Sequence, residues 1–170
     1  MEYSTQGQTA GGRYAQLQSA RSTFDREAKE SSKLTIPSLI PESTTGTRAK
    51  IKTPFQAVGA RGVNSLASKL LFALLPPSTA FFKLSIDSLE LLKQGQEGLE
   101  TEIDKGLRTI ETALMNEIEI SNDRVAMFEA LKHLIVGGNV LLYLTDDGLK
   151  VYPLSKFVCK RDAVGNVLEI

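Results

Sequence analysis

Residues 53–77 read TPFQAVGARGVNSLASKLLFALLPP, and this run constrains the fold more than any other part of the sequence. Thr53 is suited to capping a helix, Pro54 fits the first helical position, where its missing N–H costs little, and Gln56 is placed to reach back to the cap backbone. Phe55, Val58, Val63, Leu66, Leu70 and Leu74, widened by Ala67 and Leu71, form a broad apolar surface at helical spacing. Pro76-Pro77 then stops the helix, because proline offers no N–H and its ring clashes with the preceding turn. Gly59 and Gly62 stand inside it, each at a cost of about 1 kcal/mol relative to alanine. Close approach of another backbone would offset that cost. The sequence therefore predicts tight packing across Gly59 and Gly62, with Leu66, Leu70 and Leu74 completing the buried side; the alternative is that the glycines tolerate a bend. If the packing holds, Gly62→Leu overpacks the contact and costs about 1–3 kcal/mol. Arg61 and Lys69 share the polar side and are candidates for contact with a phosphate or a partner's carboxylate, against the simpler reading of solvated surface cations.

The remaining segments follow from the same rules. Residues 1–12 carry Gly, Ser, Thr and Gln with few packing residues and read as a loose tail. Residues 13–33 show a helical face of Tyr14, Leu17, Phe24 and Ala28, interrupted by Arg21. Ile36-Pro37 and Ile40-Pro41 force extended or turn geometry, and residues 42–52 read as a loop. Phe81 to Ile86 alternate as a strand, with Phe82, Leu84 and Ile86 inward. Leu99, Ile103, Leu107, Ile110, Leu114 and Ile118 mark one face of a long helix, with Glu100, Glu102, Glu111, Glu117 and Glu119 mostly outside it; a packed helix explains the repeat better than a coiled coil. A further helix through Val125, Phe128, Leu131, Lys132 and Ile135 ends at Gly137-Gly138. Two hairpins follow, one turning at Thr145-Asp146-Asp147-Gly148 and one at Gly165-Asn166. The expected class is α+β, with long packed helices and small antiparallel β-hairpins. The last strand has barely begun at Ile170, so the sequence is expected to be part of a longer protein.

A length of 170 residues suffices for one domain with a core of its own. One cysteine, Cys159, and one histidine, His133, leave no disulfide framework and no zinc or redox cluster. His133 reads as an ordinary helical residue and Cys159 as a strand packing residue. Twenty basic residues balance twenty acidic ones, so no global field attracts nucleic acid or an anionic membrane. The distribution is uneven: residues 93–130 hold four Lys/Arg against nine Asp/Glu, residues 1–92 eleven against seven. That asymmetry suits one subunit facing another, although a solvated acidic helix face explains it more simply. No secretion signal opens the sequence, and the longest apolar run is far short of the roughly 20 residues that span a bilayer. Glu100, Asp104 and Glu111 share a helical side without any sign of pKa tuning, and Gly59-Ala-Arg-Gly62 lies inside a helix rather than between strand and helix. No catalytic residue, cofactor site or metal site is expected, and the chain reads as no enzyme.

Several blocks together resemble one family: Tyr14 with its helix, Thr35-Ile-Pro-Ser-Leu-Ile-Pro41, Thr53-Pro-Phe-Gln-Ala-Val-Gly-Ala-Arg-Gly62 with Asn64 to Leu74, Phe128-Glu-Ala-Leu-Lys132, Gly138-Asn-Val-Leu-Leu-Tyr-Leu144 and Arg161-Asp-Ala-Val-Gly-Asn-Val-Leu168. In this order they are similar to the N-terminal part of the portal, or head-to-tail connector, proteins of T7-like short-tailed bacteriophages. The resemblance is weak over residues 1–12 and 89–102. It implies a homo-oligomeric ring, usually of twelve subunits, at one capsid vertex of the virion, assembled in the host cytoplasm. Double-stranded DNA passes its channel without sequence-specific grip, driven inward by a separate terminase motor, and later leaves by the same route. Scaffolding protein, major capsid protein and a tail adaptor are the other implied partners. Residues 13–170 would belong to the wing and body of a subunit, with stem, clip and crown mostly beyond residue 170. The alternative is a non-enzymatic protein-protein assembly module without DNA passage.

Overall fold

The computed structural model describes residues 9–41, 53–77, 79–85 and 100–170. Helix α1 (Ala10–Ala20) starts within the segment expected to be a loose tail, because Thr9 caps it: the Thr9 hydroxyl accepts from Gly12 N–H and the Thr9 carbonyl from Arg13 N–H. Met1 to Gln8 and the expected loop at 42–52 lie outside the described residues. The expected single helix over 13–33 is two, with α2 (Ser22–Leu34) following a break at Arg21. At that break Arg21 turns into the molecule. Its guanidinium donates to the carbonyls of Phe157 and Leu154, both at 2.9 Å, lies 5.9 Å from the Phe157 ring centre and pairs with Asp25 at 2.8 Å. The residue that interrupts the apolar face thus joins the helices to the C-terminal region.

The Ile36-Pro37 to Ile40-Pro41 segment is a turn, as expected, held by fully buried Ser32. Its hydroxyl donates to the Ile36 carbonyl at 2.8 Å and accepts from Ile40 N–H at 3.2 Å. This turn delivers Ile40 into a small core with Ala28, Leu154 and Phe157.

Helix α3 (Val58–Leu74) ends before Pro76 as expected but begins five residues after Thr53. Ala57 is its cap residue, without a side-chain bond, and Phe55 stands fully exposed outside it. Residues 81–85 form no strand; Phe82 and Leu84 are half-buried, and Ile86 lies outside the described residues. Helix α4 (Glu100–Ile120) is the predicted long helix.

Helix α5 (Asp123–Gly137) is the centre of the arrangement, packed against α2, α3, α4 and the first hairpin. Ala130, Leu131, His133, Val136 and Gly137 are buried and occupy most of its circumference, as suits a helix enclosed by several neighbours. Gly138 ends it in the left-handed conformation at φ 70°, its N–H bonding Leu134 O.

Strands β1 (Leu141–Thr145) and β2 (Gly148–Tyr152) pair antiparallel around Asp146-Asp147, Thr145 facing Gly148 and Leu141 facing Tyr152. Asp123 ties this hairpin to α5 by accepting Leu149 N–H at 2.8 Å. A 3₁₀ turn at Leu154–Lys156 leads to β3 (Lys160–Arg161), which pairs with β4 (Val167–Glu169). Phe157 and Val158 are buried packing residues that precede it. The predicted α+β class, with packed helices and small antiparallel hairpins, is the observed one.

Candidate assembly surfaces

Gly59 and Gly62, paired by the sequence, differ in their surroundings. A Cβ at Gly59 would lie 2.5 Å from the Leu34 carbonyl oxygen and 3.2 Å from Thr35, so the start of α3 is seated on the end of α2 through a position only glycine fits. Among the described residues, a Cβ at Gly62 would meet nothing within 4 Å. Among the described residues Gly62 therefore provides no close packing within the chain, and the overpacking expected for Gly62→Leu finds no surface there to act against.

The buried line of α3 runs through Val63 and Ala67, the latter wholly inaccessible, and faces α5. Leu70 is half-buried, but Leu66 and Leu74 are 46% and 53% exposed and do not complete the buried side. The reason is size: α3 lies against α5 on a small residue, and the larger leucines at the edge of that contact remain open. Arg61 and Lys69 are exposed, on a helix with no carboxylate of its own.

Helix α4 shows a similar shift. Ile103, Leu107 and Ile118 are half-buried, whereas Ile110 and Leu114 are exposed; Leu99 lies outside the described residues. The covered side is displaced toward Glu111 and buried Met115. Glu111, expected on the wet side, is half-buried and accepts Leu84 N–H at 2.6 Å. Its role is to hold the 79–85 segment on α4.

Three further polar groups fix the frame. Arg124 donates to the Leu75 carbonyl at 2.6 Å and so caps the end of α3. Arg13 makes a two-pronged contact with Glu169, Nε to Oε1 at 2.9 Å and Nη2 to Oε2 at 2.6 Å, joining α1 to β4. That guanidinium holds the Glu169 carboxyl below its ordinary range and is itself held protonated more firmly. His133 is buried, with Nδ1 unpartnered and Nε2 3.9 Å from Glu129; burial lowers its pKa and favours the neutral ring.

Among the described residues, no group of three or more His, Cys, Asp or Glu is placed to hold a metal ion. Cys159 is half-buried against the core of Ile40 and Leu154. A depression of about 560 Å³ along α1 and α2 is lined by Gln18, Ser22, Asp25, Arg26, Lys29 and Glu30, a mixture of both charges. Among the described residues, no helix is long and apolar enough to cross a membrane.

The chain thus presents helices held by polar ties, with apolar and charged side chains left on the outside of α3 and α4. Residues 7–170 match the family model of the bacteriophage head to tail connecting protein. The chain belongs to that family. It is 43% identical over 165 residues to the portal protein of Escherichia phage T7 and 43% identical over 164 residues to that of Enterobacteria phage T3, each alignment covering 92% of this chain and 30% of the relative. The portal protein of Enterobacteria phage SP6 is 31% identical over 180 residues, covering 100% of this chain and 33% of that protein. The chain therefore spans about 30% of the length of the curated relatives it matches. The portal resemblance carried by the motifs from Tyr14 to Leu168 is confirmed as family membership.

Proposed function

We propose that this chain is part of a structural subunit of the portal ring at one capsid vertex, where the ring serves as conduit for genome packaging and ejection and as attachment point for the tail. The observation that carries the reading is the family match over residues 7–170. Residues 13–170 would contribute to wing and body, with stem, clip and crown supplied by other sequence. In this reading the protein performs no chemistry of its own: a terminase motor drives the DNA, and scaffolding protein, major capsid protein and tail adaptor dock on the ring. Such a ring is built from one repeated heterologous contact that closes by rotation. A balanced charge of 20 basic and 20 acidic residues is compatible with a passage that grips DNA weakly.

Negative-stain microscopy of the full-length protein tests the proposal. Closed rings with an opening wide enough for duplex DNA are expected, with no nucleotide turnover by the purified protein. Uniformly monomeric particles would overturn it, and a stable assembly without a central opening would favour an assembly module that passes no DNA.

A further inference from the structure

A ring closed by rotation requires two different patches on each copy, complementary to one another. Two helix faces have that relation. Val58, Gly62, Leu66, Lys69 and Ala73 recur at spacings of three and four along α3, and all are exposed. Val58 and Leu66 supply the apolar area, and Lys69, with Arg61 beside the stripe, supplies positive charge on a helix lacking any carboxylate. Along α4, Glu102, Gly106, Ile110, Ala113, Glu117 and Ile120 recur in the same way, all exposed. Ile110 and Ile120 supply the apolar area and Glu102 and Glu117 the negative charge; Lys105 lies beside this stripe as Arg61 lies beside the other, and Arg108 falls on the far side, so the stripe stays net negative.

Both helices pack on α5 through other sides, leaving these stripes turned outward. We propose that the α3 stripe of one copy docks on the α4 stripe of the next, making this contact one of the head-to-tail interfaces of the assembly. The inference rests on the ring reading above, and the occupant is a second copy because the same chain carries both halves. Apolar area provides the association, and the opposite charges set partner and direction, since like charges brought together across an interface are strongly disfavoured.

The test uses two variants of the full-length protein. Arg61→Glu with Lys69→Glu makes both stripes negative; Glu102→Lys with Glu117→Lys makes both positive. Each variant alone is expected to fold, with the far-UV circular dichroism of the parent, and to lose the ring fraction by about tenfold or more. Mixed in equal amounts, they are expected to recover rings in which the two alternate, because every contact then joins opposite charges.

Unaltered assembly by either variant, or folded variants whose mixture stays unassembled, would overturn the interface while leaving the ring reading intact. Failure of the isolated variants to fold would also overturn it, by showing that another part of the same chain covers the stripes. Failure of the unaltered protein to form rings would remove both readings.

Discussion

Gly59 and Gly62 lie three residues apart on one helix, yet the surroundings of each reverse the effect of the same substitution. At Gly59 the new methyl would press on the Leu34 backbone carbonyl, which cannot move without shifting the end of α2. At Gly62 it would meet none of the described residues. Gly59→Ala is therefore expected to cost about 1–3 kcal/mol through overpacking, outweighing the gain in helix propensity. Gly62→Ala is expected to stabilise the fold by up to about 1 kcal/mol. Urea denaturation of the two variants reads both signs, and equal effects would remove the seating of α3 on α2. Both glycines were legible as exceptions to helix propensity. Which one touches a backbone was not, because both lie on the same helix and the difference comes from a segment more than twenty residues earlier in the chain.

At the scale of elements, helix interiors were readable and helix ends were not. The apolar repeats give α3, α4 and α5 because burial of one face follows from the 3.6-residue period. The ends depend on what comes near. Thr53 offered a good local cap, worth about 1 kcal/mol, but α3 begins at Val58, where its first turn meets Leu34 and Thr35. At the other end the Leu75 carbonyl is satisfied by Arg124, 49 residues away in sequence. Arg124→Ala is expected to destabilise the fold by about 1.5–3 kcal/mol, the range for hydrogen bonds to charged groups. A urea melt indistinguishable from that of the parent would show that water replaces this cap at no cost. The broken helix at Arg21 follows the same logic, since the carbonyls of Leu154 and Phe157 that receive its guanidinium lie in the C-terminal part of the chain.

Across the whole molecule, the first and last described elements are joined by Arg13 and Glu169. The Glu169 carboxyl is held below its ordinary value of 4.5, chiefly by the hydrogen bond from Arg13. A depressed carboxyl stabilises the fold fully above that ordinary value and loses its contribution as pH falls through the lower, folded-state value. Asp162, depressed by Asn166 in the β3–β4 turn, acts in the same direction. Stability is therefore expected to fall with acidification below about pH 4.5, and Glu169→Gln is expected to fall less steeply than the parent. Melting temperatures of the two proteins across that range check the prediction; parallel curves would show that the tie contributes nothing.

Sequence alone determined the class of fold, the main helices, both hairpins and the family, because periodicity, proline and glycine placement and short motifs act over a few residues each. Tertiary structure alone decided which side of each apolar helix is covered. A repeat of leucines fixes the direction of an apolar face, but α5 contacts only part of it, leaving Leu66, Ile110 and Leu114 exposed.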